Sequence, residues 1–131
     1  VKVLLDTDIL LDVALRRAEF FEDSAKVLSW GEANPRQAAV AWHSLSNLAY
    51  FLKPDARSFI ADLLEFIEVA PVSTSDMRTA LGLPMKDLED AMQVGSALSF
   101  GARHLVTRNL PDYRRSPVPA LTPKAFLALV V

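Results

Sequence analysis

Five short apolar runs, VKVLL at 1–5, QAAVAW at 37–42, EVAPV at 68–72, RHLVT at 103–107 and VPAL at 118–121, alternate with longer stretches of helical period. Strands this apolar are buried on both faces, so each needs helices above and below it and a right-handed crossover to return parallel to its neighbour. The expected fold is α/β, a three-layer sandwich with a central, mostly parallel sheet of about four to five strands flanked by helices. With 131 residues, 51% of them hydrophobic, the chain has material for one core, and a single domain over 1–131 is expected.

The punctuation between the runs places the helices. One is expected from about Ile9 to Arg17. A second puts Phe21, Ala25 and Leu28 on one face and stops at Gly31, Asn34 and Pro35. Ser44 is the expected cap of LSNLAYFL, which ends before Pro54, and Asp55 that of ARSFIADLLEFI. Pro71 argues that EVAPV is an edge strand or a strand end. Ser75 is expected to open DMRTALGL, which closes at Gly82 and Pro84. The helix in KDLEDAMQVGSALSFG aligns Leu88, Ala91, Met92, Gly95 and Leu98 as one packing face, with Gly101 as its stop. A last helix follows Thr122 as cap and Pro123 at its first position.

Charge and composition narrow the function. Fourteen basic residues against sixteen acidic ones, a net of −2, leave no global field to capture nucleic acid, so any polyanion site must be local. No cysteine means no disulfide frame and no thiolate metal site, which suits a reducing cytoplasm. No apolar run approaches the roughly 18 residues of a membrane span, and Asp6 interrupts the first strand too early for a signal peptide. A soluble, cytoplasmic protein is expected.

In parallel sheets ligands gather beyond the carboxyl ends of the strands, where the strand order reverses. Asp6 and Asp8 follow the first strand, Asn109 and Asp112 follow HLVT, and Asp87 and Asp90 open the helix before it. Taken singly, each has an ordinary structural role: Asp6, Asp8 and Asp87 as helix caps, Asp112 in a turn after Pro111. Taken together, they crowd one edge of the sheet. Carboxylates forced together repel and raise one another's pKa unless a cation is present. A site of oxygen donors without His or Cys selects Mg²⁺ or Mn²⁺ over zinc. His43 and His104 have no partner at metal-binding spacing and read as structural or surface residues. Trp30, Trp42, Tyr50 and Phe51 read as core or interface residues.

The ordered set LLDTDILLD, KDLEDAMQVGSALSFGARHLVTRNLPDY and PVPALTPKAFL resembles the PIN domain, the fold of VapC-type toxins and related ribonucleases. The resemblance spans nearly the whole chain, and its last third is the most specific part. It implies a metal-dependent ribonuclease, the toxin of a toxin–antitoxin pair. The catalytic residues implied are Asp6, Asp90, Asn109 and Asp112. Asp6, Asp90 and Asp112 would hold Mg²⁺ or Mn²⁺, directly or through water for Asp112. Asp8, Asn47, Asp87, Thr107 and Arg108 are accessory, with Arg108, Arg114 and Arg115 as phosphate contacts to RNA. A protein antitoxin and a homodimer are the implied partners, with Phe20, Phe21, Leu48 and Phe51 as candidates for an antitoxin groove. Two positions depart from the family pattern: Asp8 stands where Asn is frequent, and Asn47 stands where a Glu is usual. Asn47 supports an alternative, a degenerate PIN domain that binds RNA or protein without cutting. DTDIL is also similar to the Asp-x-Asp motif of haloacid-dehalogenase phosphatases, with Asp6 as covalent nucleophile, but no Ser/Thr-ended strand and Lys complete that set in order.

Overall fold

The computed structural model describes residues 1–131. Its strands are β1 (Val3–Leu5), β2 (Ala38–Val40), β3 (Glu68–Val69), β4 (His104–Val106) and β5 (Ala120–Leu121), in the order β3-β2-β1-β4-β5. Every pairing is parallel, so the expected mostly parallel sheet is parallel throughout. The helices are α1 (Thr7–Ala14), α2 (Phe21–Ala33), α3 (Trp42–Leu52), α4 (Ala56–Leu63), α5 (Thr74–Leu81), α6 (Leu88–Phe100) and α7 (Pro123–Val130), with short 3₁₀ turns at Lys53–Asp55 and Leu110–Tyr113.

Side chains that alternate along each strand divide the core into two layers. Val3, Leu5, Ala38, Val40 and Val106 point to one face, where Ile9, Val27, Leu48, Leu63 and Phe126 from α1, α2, α3, α4 and α7 cover them. Leu4, Ala39 and Leu105 point to the other, against Val94 and Ala97 of α6. Each fully buried Leu or Val contributes about 1.5–3 kcal/mol relative to exposure, so one-residue slips that exchange the faces are strongly disfavoured. The chain runs outward from β1 to β2 and β3, then returns to the other side of β1 with β4 and β5. The order reverses at β1, and a crevice opens there at the carboxyl ends of β1 and β4.

Several helix boundaries differ from the sequence expectation. Helix α1 begins two residues earlier than Ile9 because Asp6 is its cap, and it ends at Ala14, ahead of Arg16 with a left-handed φ of 48°. Ser44 does not cap α3: it lies inside the helix, fully buried, and bonds to Thr7 and Gln93. Asp55 precedes α4 but makes no side-chain capping bond. Helix α5 is capped by Ser73 rather than Ser75, in a reciprocal box with Asp76.

The single apolar face expected for α6 is also corrected. Leu88 and Leu98 are exposed, whereas Ala91, Val94, Gly95 and Ala97 are buried. The reason is that α6 is covered twice, by the sheet on one side and by α5 on the other, so small residues rather than leucines meet its neighbours. A Cβ on Gly95 would stand 3.3 Å from the Asp76 carbonyl oxygen, so any larger residue would push the two helices apart by a few tenths of an ångström. Gly101 ends α6 in the left-handed conformation at φ 79°, as its position after the helix predicts.

Candidate active site

The acids at the crevice are held by short-range geometry before any ligand is considered. Asp6 follows Leu5 directly, and its own N–H bonds the Val106 carbonyl of the neighbouring strand. Its Oδ1 accepts from the Thr7 N–H at 2.7 Å, and its Oδ2 accepts from the Thr107 hydroxyl at 2.8 Å and the Tyr113 hydroxyl at 3.0 Å. Asp6 is only 7% exposed. Burial pushes its carboxyl up, against the pull of the Thr107, Thr7 and Tyr113 bonds.

Asp90 comes to the same point from α6. Asp87 caps that helix by accepting the Asp90 N–H at 3.1 Å, which sets the direction of the first turn. The Tyr113 hydroxyl also reaches Asp90 Oδ1, at 3.2 Å. A phenol has one proton, so it donates to one of the two carboxylates at a time. The other contact is satisfied only when a carboxyl holds a proton. Burial, and then the charges of Asp87 and Asp6, push Asp90 up to about 6, which fits that requirement.

Asp8 closes the site on the β4 side. Its Oδ2 accepts from the Arg108 N–H at 3.0 Å and the Asn109 side-chain amide at 3.1 Å, while its Oδ1 is buried with no partner. Burial, then the Asp6 charge, push its carboxyl up to about 7. Thr107 is fully buried and accepts the Asn109 N–H while donating to Asp6. Asp6, Asp8, Asp90 and Asn109 line one cleft of about 250 Å³.

The remaining sequence candidates are placed differently. Asp112 lines a neighbouring groove with Asp87 and Asp90 rather than the cleft of Asp6. Asn47 lies outside the cleft lining, and its amide donates to Glu89 at 2.9 Å. The expected phosphate contact of Arg108 is replaced by a structural one. Its Nε and Nη2 donate to Asp12 at 2.7 and 3.0 Å, and its guanidinium stacks 3.7 Å from the Phe20 ring centroid. Asp12 is fully buried and also accepts from Ser24. Phe20 is thereby occupied, Phe21 stacks with Arg16, and Leu48 is in the core, leaving Phe51 exposed among the groove candidates.

Three contributors have no clear signal in the sequence. Tyr113, 3% exposed, is visible there only as an aromatic after Asp112, and nothing local shows that its hydroxyl reaches two carboxylates. Glu89 sits beside Asp90 in the same lining. Gln93, one turn beyond, donates to Thr7 and Ser44 and ties α6 to α1 and α3 beneath the cleft. Tyr113→Phe is expected to lower urea-unfolding stability by roughly 1 kcal/mol without divalent ions, since Asp6 loses one donor and keeps two. An unchanged midpoint would show that the phenol bonds are not made in solution.

The donor set suits a hard cation in its chemistry. All donors are oxygen, two carboxylates converge, and an orphaned Asp8 oxygen faces like charge that a cation would offset. No three His, Cys, Asp or Glu side chains stand close enough to clasp one ion alone. Such a pair fits an ion that keeps several of its waters, as Mg²⁺ does. No helix is long and apolar enough to cross a membrane.

A family model described as the PIN domain matches residues 2–111. The fold is similar to a toxin–antitoxin complex from Klebsiella pneumoniae, with a TM-score of 0.69 and 23% identity over 93% of this chain and 98% of that one. VapBC2 from Rickettsia felis, solved bound to a DNA fragment from the promoter, gives a TM-score of 0.69 at 18% identity, with the same coverage of 93% and 98%. VapBC-1 from nontypeable Haemophilus influenzae gives 0.64 at 17% identity over 95% of this chain and 99% of that one. No curated protein matches the sequence.

Proposed function

The chain belongs to the PIN domain family, a family of nucleases, and we propose that it is a VapC-like toxin, an endoribonuclease that hydrolyses RNA phosphodiester bonds with Mg²⁺ or Mn²⁺. The observation that carries the reading is the convergence of Asp6 and Asp90 on one phenol at the switch point of the sheet. Asp6 and Asp90 would hold the ion, with Asp112 acting through water from the adjoining groove. The ion supplies Lewis acidity, lowering the pKa of water and offsetting the charge that builds on the phosphate. Thr107 and the Thr7 N–H fix the Asp6 carboxylate, and Asn109 with the Arg108 N–H fixes Asp8, so little reorganisation remains at the moment of reaction. Asn47 acts at one remove, by holding Glu89 at the rim.

The likeness to solved toxin–antitoxin complexes supports a protein antitoxin as partner. A homodimer is proposed with it, since Trp42, Tyr50 and Phe51 on α3 are 69%, 67% and 53% exposed. Light scattering of the purified protein checks this, with a mass of one chain as the contrary result.

The test of the activity is cleavage of mixed-sequence single-stranded RNA with Mn²⁺ and with EDTA. Cutting in Mn²⁺ alone supports the reading; equal cutting in both overturns its metal requirement. The raised carboxyls also make the site sensitive to pH. Asp8 at about 7 and Asp90 at about 6 lie above the ordinary carboxyl value of 3.8, so between roughly pH 4 and 7 the folded site retains protons that the unfolded chain has released. That contribution to stability fades as pH rises through the folded values, and a cation must displace the protons to bind. Mn²⁺ is therefore expected to raise Tm more at about pH 7.5 than at about pH 5, and cleavage to rise between about pH 5.5 and 7.5. An increment in Tm that does not depend on pH would contradict the placing of the ion at Asp90, beside Asp8.

A further inference from the structure

Beside the acidic cleft lies a second opening of about 510 Å³, walled by the turn Pro84–Asp87 before α6 and by the 3₁₀ turn Leu110–Tyr113 with the two residues after it. Asp87 and Asp90 line both openings, so the groove continues directly from the cleft. Three cations project along it, Lys86, Arg114 and Arg115, all exposed.

Arg108 and Arg17 are drawn to Asp12, Lys26 to Glu22 and Arg36 to Glu68, whereas Lys86, Arg114 and Arg115 enter no ion pair, side-chain hydrogen bond or aromatic stack. Arg57, Arg78, Arg103 and Lys124 are also without partners, but among the unpartnered cations only Lys86, Arg114 and Arg115 line the opening beside the acidic cleft. Arg114 and Arg115 also follow directly on Tyr113, which is fixed to Asp6 and Asp90. The backbone that carries these two charges is thus fixed next to the acids. A chain of net charge −2 has no general attraction for a polyanion, and a local cluster of free cations beside an acidic cleft supplies one where it is needed.

We propose that this groove binds the phosphate backbone of the RNA strand next to the point of cleavage, through Lys86, Arg114 and Arg115. The inference rests on the nuclease reading and adds the path of the substrate. Phosphate contacts position a strand without reading its sequence, so the groove serves all RNA substrates alike.

The test measures binding of two single-stranded RNAs of unrelated sequence by fluorescence anisotropy, in Mg²⁺, on an Asp90→Asn background that should not cut. Adding Arg114→Ala with Arg115→Ala is expected to weaken binding of both RNAs at least tenfold. It should also reduce the salt slope by roughly 0.7 for each phosphate that is no longer neutralised, as for single strands. Lys86→Ala alone should show a smaller effect of the same kind. Arg57→Ala with Arg103→Ala removes the same charge from α4 and from the opposite end of β4, and should change binding less than twofold. Equal weakening in the groove and control variants would overturn the inference and leave the nuclease reading intact. So would failure of the Asp90→Asn protein to bind an RNA that the wild type cuts. Absence of both binding and wild-type cutting for every RNA would overturn the nuclease reading and this inference with it.

Discussion

Asp6→Asn is expected to lower RNA cleavage by at least about a thousandfold while the protein remains folded. Asn keeps the cap of α1, because its side-chain oxygen still accepts the Thr7 N–H. Its amide also fills the same space between Thr107 and Tyr113, both of which can accept as well as donate. What disappears is the charge at the point where Asp6 and Asp90 converge. Far-UV circular dichroism and Tm would show the retained fold, and single-turnover cleavage the missing activity. An Asp6→Asn protein that cuts within tenfold of wild type would remove Asp6 from the catalytic machinery.

The largest effect on stability is expected at Asp12, a residue with no distinguishing mark in the sequence. Asp12 is fully buried and receives a two-point contact from Arg108, whose side chain is 21% exposed. Asp12→Ala leaves the guanidinium wedged against Phe20 without its counter-charge, and breaking a pair of this kind costs about 3–5 kcal/mol. Against a total stability of roughly 5–15 kcal/mol, that is a fall in Tm on the order of 10 °C. Removing both charges together, as Asp12→Leu with Arg108→Met, should recover part of the stability because no uncompensated ion remains. Urea unfolding of the two variants checks both statements, and a change under about 1 kcal/mol for Asp12→Ala would show that the pair does not hold α1 to the end of β4.

The contrast between Asp6 and Asp12 shows what a sequence discloses and what it withholds. Asp6 is legible because its place is set locally: it ends a short apolar strand and begins a helix. Asp87 is legible as a cap for the same reason, and Gly101 as a stop. Asp12 looks like one polar residue on an amphipathic helix, because its partner Arg108 is 96 residues away. Tyr113 is hidden in the same manner, lying 107 residues from Asp6. Alternation of strands and helices implies the layers, yet the order β3-β2-β1-β4-β5, which makes neighbours of Leu5 and Val106, depends on pairing that no local signal carries. Helix α6 misleads for another reason. A 3.6-residue pattern assumes one covered face, and α6 is covered by both the sheet and α5, so its leucines turn outward and its small residues inward.

The most direct test of the acidic cleft as a nuclease centre is the chemistry of the ends it leaves. End-labelled single-stranded RNA would be incubated with the purified protein in Mn²⁺, beside EDTA and Asp6→Asn controls, and the termini of the fragments identified. Cation-assisted attack by water predicts hydrolysis without 2′,3′-cyclic phosphate, with fragments absent from both controls. Fragments that persist in EDTA, carry cyclic phosphates, or appear equally with Asp6→Asn would contradict the account.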